Sequence, residues 1–99
     1  MKFYGTRVCP DCIEAENVLK QANVSYEYVD ITASTDNLKE FLDLRDFRAE
    51  FMMPKNGGFI GLPCFLMEDD SIYFDENKVI EIVEERLRAE SELEDTISA

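Results

Sequence analysis

Met1-Lys2-Phe3-Tyr4-Gly5-Thr6-Arg7-Val8-Cys9-Pro10-Asp11-Cys12 opens the chain, and its reading decides the fold. Met1–Tyr4 carries the side chains of a short strand, Gly5–Val8 those of a turn, and Pro10 onward those of a helix. This layout predicts Cys9 at the N-cap and Pro10 at the first helical position, where proline's fixed φ and missing N–H are harmless. The unpaired N–H groups of the first turn and the positive end of the helix dipole then face the Cys9 sulfur. A thiol so placed ionises more readily than a free one, and the thiolate is the reactive form. Cys12 lies one helical turn further in, close enough to Cys9 to close a disulfide. The pattern points to thiol–disulfide exchange.

Working outward, Ala15, Val18, Leu19 and Ala22 recur at helical spacing, and Asn23 is a natural stop. Ser25–Ile31 alternates apolar and polar residues and predicts a second strand, parallel to the first because a helix separates them. Ser34 or Thr35 caps a second helix with an apolar stripe of Leu38, Phe41, Leu42 and Leu44 to Phe47. Arg48–Gly61 is the least regular stretch, with Met52-Met53-Pro54, Gly57-Gly58 and Gly61. Cys64–Met67 and Ile72–Phe74 form a hairpin across the Glu68–Ser71 turn, and Asp75 caps a last helix facing the core through Val79, Ile80, Ile82, Val83 and Leu87. The order βαβαββα predicts an α/β fold: a four-stranded mixed sheet flanked by three helices. One domain is expected over residues 1–90, with an acidic tail at 91–99.

A net charge of −12, with no basic run, excludes nucleic acid and anionic membrane as natural partners. Neither a signal peptide nor a membrane-spanning stretch is evident in the sequence, so a cytoplasmic location is expected. Three cysteines are too few for a disulfide scaffold in that compartment, which leaves redox or metal chemistry. Structural zinc wants four ligands, and without histidine the set would be Cys9, Cys12, Cys64 and a carboxylate. Redox chemistry is the better reading of the close pair, with no metal site expected.

The Cys-x-x-Cys after the first strand, the Gly61-Leu62-Pro63 before the third, and the element order together resemble the glutaredoxin branch of the thioredoxin fold. Cys-Pro-Asp-Cys stands where the family usually has Cys-Pro-Tyr-Cys. The resemblance implies Cys9 as the attacking thiolate, Cys12 as the resolving thiol and Pro63 as a cis-proline packed against them. It also implies that the Leu62 backbone binds an extended substrate or glutathione as an added strand. Arg7, Pro10, Asp11, Leu62 and Pro63 then make up the expected substrate or glutathione contact. Three departures concern glutathione and leave the dithiol untouched. Tyr73-Phe74-Asp75-Glu76 replaces a glycine pair followed by a polar residue and Asp, Thr6 replaces a lysine, and Asp11 replaces the motif's aromatic.

The expected function is therefore a dithiol–disulfide oxidoreductase acting on a disulfide-containing protein or a glutathione mixed disulfide. Glutathione or a reductase would donate the electrons, with glutathione a candidate co-substrate and no other cofactor. A metal or iron–sulfur carrier using the same thiols and a non-catalytic binding module are the alternatives. Arg7 reads either as a partner of the Cys9 thiolate or as a solvated loop residue. Asp11 suits the first helical turn while placing a negative charge near the thiols. Cys64 alternates away from the dithiol and reads as a small core residue.

Overall fold

In the computed structural model, residues 1–98 are described in backbone and 1–92 in side chain. Strands β1 (Lys2–Gly5), β2 (Glu27–Asp30), β3 (Cys64–Leu66) and β4 (Ile72–Tyr73) form one sheet in the order β2-β1-β3-β4. β1 pairs parallel to β2 and antiparallel to β3, and β4 closes the hairpin antiparallel to β3. The α/β thioredoxin-like architecture expected from the sequence is present.

Alternation along the strands divides the core between the two faces of the sheet. Phe3 and Phe65 point to one face, where helix α1 (Pro10–Gln21) contributes Cys12, Ala15 and Leu19, and helix α4 (Glu76–Ser98) contributes Val79. Their neighbours Tyr4 and Cys64 point to the other face, into a cluster with Val29, Ile31, Ile72 and Phe41 of helix α2 (Thr35–Phe47). The Phe3 and Phe65 rings meet edge-on at 4.7 Å, the arrangement favoured by the ring quadrupoles.

Local signals end the helices where the sequence places them. The Ser34 hydroxyl accepts from the Asn37 amide at 3.1 Å and caps α2. The Asp75 carboxylate accepts from the Asn77 amide at 2.9 Å ahead of α4. Asn23 adopts a left-handed φ of 57° just past α1.

Four expectations need correction. The sheet is flanked by four α-helices, not three, because Arg48–Gly61 is ordered: a 3₁₀ turn (Ala49–Phe51) runs into helix α3 (Met52–Asn56). Phe51 is fully buried against Phe41 and Phe74, and that anchor holds a stretch whose glycines and proline speak against regular structure. Pro54 falls in the first turn of α3, where its missing N–H is tolerated. The apolar stripe of α2 shrinks to buried Phe41 and half-buried Leu44, with Phe47 82% exposed. The segment from Ser91 to Ser98, expected as a tail, continues α4, while Ala99 lies outside the described residues. Leu87, assigned to the core face of α4, is exposed.

Candidate functional site

Cys9 is the N-cap of α1 with an extended backbone (φ −101°, ψ 115°), and Pro10 follows at the first helical position. The Cys9 carbonyl starts the helix by accepting from the Cys12 and Ile13 amides, each at 3.1 Å. Its sulfur makes no capping hydrogen bond, so the N-cap side chain is left for other work. Cys9 is half-buried, whereas Cys12 is fully buried behind it.

The pair is unequal in its surroundings. Burial pushes the Cys12 thiol up to about 12, and the hydrogen bond to the Cys9 side chain and the charges of Cys9 and Asp11 add to the rise. The Thr6 backbone N–H, bonded to the Cys12 sulfur, acts in the opposite direction. Cys12 is therefore a protonated, sheltered thiol.

The turn before Cys9 hangs on a short polar chain. Asp30 Oδ1 accepts from the Thr32 hydroxyl at 2.6 Å and from the Thr32 amide at 2.9 Å, which holds its carboxyl below the usual range. With its proton given to Asp30, the Thr32 oxygen accepts from the buried Thr6 hydroxyl at 3.0 Å. The Thr6 oxygen in turn accepts from the Val8 amide at 3.4 Å, and the Thr6 carbonyl accepts from the Cys9 amide at 3.2 Å. Thr6, a departure at sequence level, is thus a structural hub of the loop.

Cys9 lines a groove of about 430 Å³ together with Thr6, Val8, Gly58, Phe59, Ile60, Gly61 and Leu62. The far wall is the Gly58–Leu62 loop. Arg45 of α2 fixes it from behind, donating to the Ile60 carbonyl at 2.9 Å and to the Phe59 carbonyl at 3.4 Å. Gly61 has a φ of 97°, and a Cβ there would lie 2.7 Å from the Phe51 ring. The Leu62–Pro63 peptide is cis. Val8, Phe59 and Ile60 leave more than half of their surface exposed around the groove, so its rim is apolar.

The glutaredoxin family model matches residues 1–50, which span β1, the dithiol, β2 and α2. An uncharacterized protein of Haemophilus influenzae is 36% identical over 77 residues, covering 78% of this chain and 88% of that protein. The chain belongs to the glutaredoxin family. No solved structure matches it. Glutaredoxins as a family are thiol–disulfide oxidoreductases.

The expected glutaredoxin site residues divide by location. Cys9 and Leu62 share the groove, and Cys12 is packed behind. Pro63 is buried beside Leu62 in the sequence and does not line the groove. Pro10 and Asp11 are exposed on the first turn, with the Asp11 charge bearing on Cys12. The Arg7 guanidinium sits 5.2 Å over the Tyr28 ring, a cation–π contact. Cys64 belongs to the opposite core cluster, so the three thiols do not converge, and no group of three metal-ligating side chains occurs among the described residues. Among those residues no helix is long and apolar enough to cross a membrane.

Two site residues escaped the sequence reading. Gly5 lets α1 approach β1, since a Cβ there would lie 2.9 Å from the Phe3 ring, 2.9 Å from Tyr28 Oη and 3.2 Å from Cys12 Sγ. Tyr28, the β2 partner of Phe3, reaches the same point. The period-two pattern of β2 gave no sign that the Tyr28 hydroxyl lies against Gly5.

Proposed function

We propose that this protein is a dithiol–disulfide oxidoreductase working through Cys9-Pro10-Asp11-Cys12. The Cys9 thiolate attacks one sulfur of a substrate disulfide, a Cys9–substrate disulfide forms, and the other substrate sulfur leaves as a thiolate that takes up a proton. Cys12 loses its proton to solvent and attacks the Cys9 sulfur. The Cys9–Cys12 bond forms, and the remaining substrate sulfur departs reduced. Two electrons pass from the dithiol to the substrate, and glutathione or a reductase returns them.

One observation carries this reading. Cys9 borders an apolar-rimmed groove at a helix N-cap, while Cys12, hydrogen-bonded to it, is shielded from any incoming disulfide. Attack and resolution are therefore assigned to different sulfurs. Protein disulfides and glutathione mixed disulfides are the substrate class, bound in extended form beside Leu62. A reducing, cytoplasmic setting and the absence of a resident cofactor belong to the same proposal. Cys9→Ser is expected to abolish reduction of a protein disulfide coupled to glutathione or thioredoxin reductase. Cys12→Ser is expected to accumulate a mixed disulfide visible by mass. Full turnover in Cys9→Ser would overturn the mechanism.

A further inference from the structure

The resolving step demands a thiolate from the group least disposed to give one. Cys12 is fully buried, and burial holds its proton. The Thr6 N–H is one donor aimed at its sulfur. Against Gly5 lies a second polar atom, Tyr28 Oη, 2.9 Å from the point that Cys12 Sγ approaches to 3.2 Å. Tyr28 Oη is buried and has no hydrogen-bond partner. A buried hydroxyl left unpaired is destabilising, and native proteins rarely tolerate one without cause.

The nearby sulfur offers it a use. A neutral thiol is a weak acceptor, whereas a thiolate accepts strongly. In the dithiol state the Tyr28 hydroxyl makes no hydrogen bond to the Cys12 sulfur. In the mixed disulfide Cys9 no longer carries charge, and Cys12 must become the anion. We propose that Tyr28 supplies the missing stabilisation: its hydroxyl donates to the Cys12 sulfur as the thiolate forms, completing with the Thr6 N–H a two-donor cradle for the resolving sulfur. This rests on the dithiol reading above. Tyr28 keeps its proton throughout. The Cys12 proton leaves to solvent, the Cys9–Cys12 bond forms, and the Cys9–substrate bond breaks.

The surroundings agree with a donor that stays protonated. Burial pushes the phenol up to about 12, and the charges of Cys12, Glu16 and Asp30 act in the same direction. Arg7, stacked over the ring, acts the other way and strengthens the O–H as a donor. On the Cys12 side the facing charges are those of Cys9 and Asp11.

Tyr28→Phe tests this with almost no change of volume. Single-turnover release of substrate thiol from the mixed disulfide is expected to slow about tenfold near neutral pH, the range of a hydrogen bond to a charged group. The pH profile of that release should move up by about one unit. Alkylation of Cys9, measured in Cys12→Ser and in Cys12→Ser with Tyr28→Phe, should stay within about twofold. The melting temperature should hold or rise, because an unpaired buried hydroxyl is removed. Release at the wild-type rate with an unshifted profile would overturn the role of Tyr28 while leaving the dithiol mechanism standing. Equal slowing of both steps with a lower melting temperature would also overturn it, in favour of packing alone. If wild-type protein shows no second phase and Cys12→Ser traps nothing, the dithiol reading fails and takes this proposal with it.

Discussion

Cys12 and Cys64 are both fully buried, and burial pushes both thiols up to about 12. They occupy opposite faces of the same sheet. Cys12 belongs to the cluster of Phe3, Phe65 and α1, and Cys64 to the cluster of Tyr4, Phe41 and Phe51. Burial alone therefore does not mark a working thiol. Cys12 differs in its neighbours: a second sulfur one helical turn away, the Thr6 N–H, and the uncommitted Tyr28 hydroxyl. Cys64 instead packs opposite Tyr4 across the β1–β3 pairing, with the charges of Arg48 and Glu50 acting on it in opposite directions. Burial that raises both thiols thus falls beside a second sulfur on one face and beside none on the other.

Filling the space that distinguishes the Cys12 side puts this contrast to its most severe test. Gly5→Ala would put a methyl 2.9 Å from both the Phe3 ring and Tyr28 Oη. Overpacking of this kind costs about 1–3 kcal/mol, read as a lower urea midpoint at unchanged slope. It should also slow resolution more than attack, since the methyl intrudes between Tyr28 and Cys12. A Gly5→Ala protein with wild-type stability would show that α1 does not rest on β1 so closely. On the other face, Cys64→Ala leaves a small void and is expected to cost about 1 kcal/mol. Its disulfide-reductase turnover should remain within about twofold of wild type. A large loss of turnover would make Cys64 a third redox partner and erase the contrast.

How much of this contrast the sequence revealed depends on the range of the forces involved. Cys9, Pro10 and the start of α1 follow from rules acting within one helical turn, and each stands where the residues predict. The separation of Cys64 from the dithiol followed from strand alternation alone. Gly5 and Tyr28 stayed hidden because their roles arise where three elements meet, and no local pattern encodes a void between strand and helix. Arg48–Gly61 failed for a related reason. Its glycines and Pro54 argue locally for a loop, while buried Phe51 and the Arg45 hydrogen bonds to Phe59 and Ile60 order it from outside. Phe47 shows the converse error, an apolar residue at helical spacing with nothing packed on it.

The smallest effect is also the cleanest measure of Cys64's isolation. Its thiol titrates near 9.0 when unfolded and is raised to about 12 in the fold, chiefly by burial. Below about pH 9 both states carry the proton, so the group leaves stability untouched. Above that the unfolded chain sheds a proton that the folded protein keeps, and unfolding becomes easier as pH rises toward the folded value. The slope from one such group is at most about 1.4 kcal/mol per pH unit. The oxidised protein suits the experiment, since a Cys9–Cys12 disulfide leaves Cys64 as its sole thiol. Urea unfolding of wild type and Cys64→Ala between about pH 8 and 10 should then give curves that converge as pH rises, with wild type losing its advantage. Parallel curves would mean that the Cys64 thiol ionises as freely inside the fold as outside it, and the second buried cysteine would no longer be the inert counterpart of Cys12.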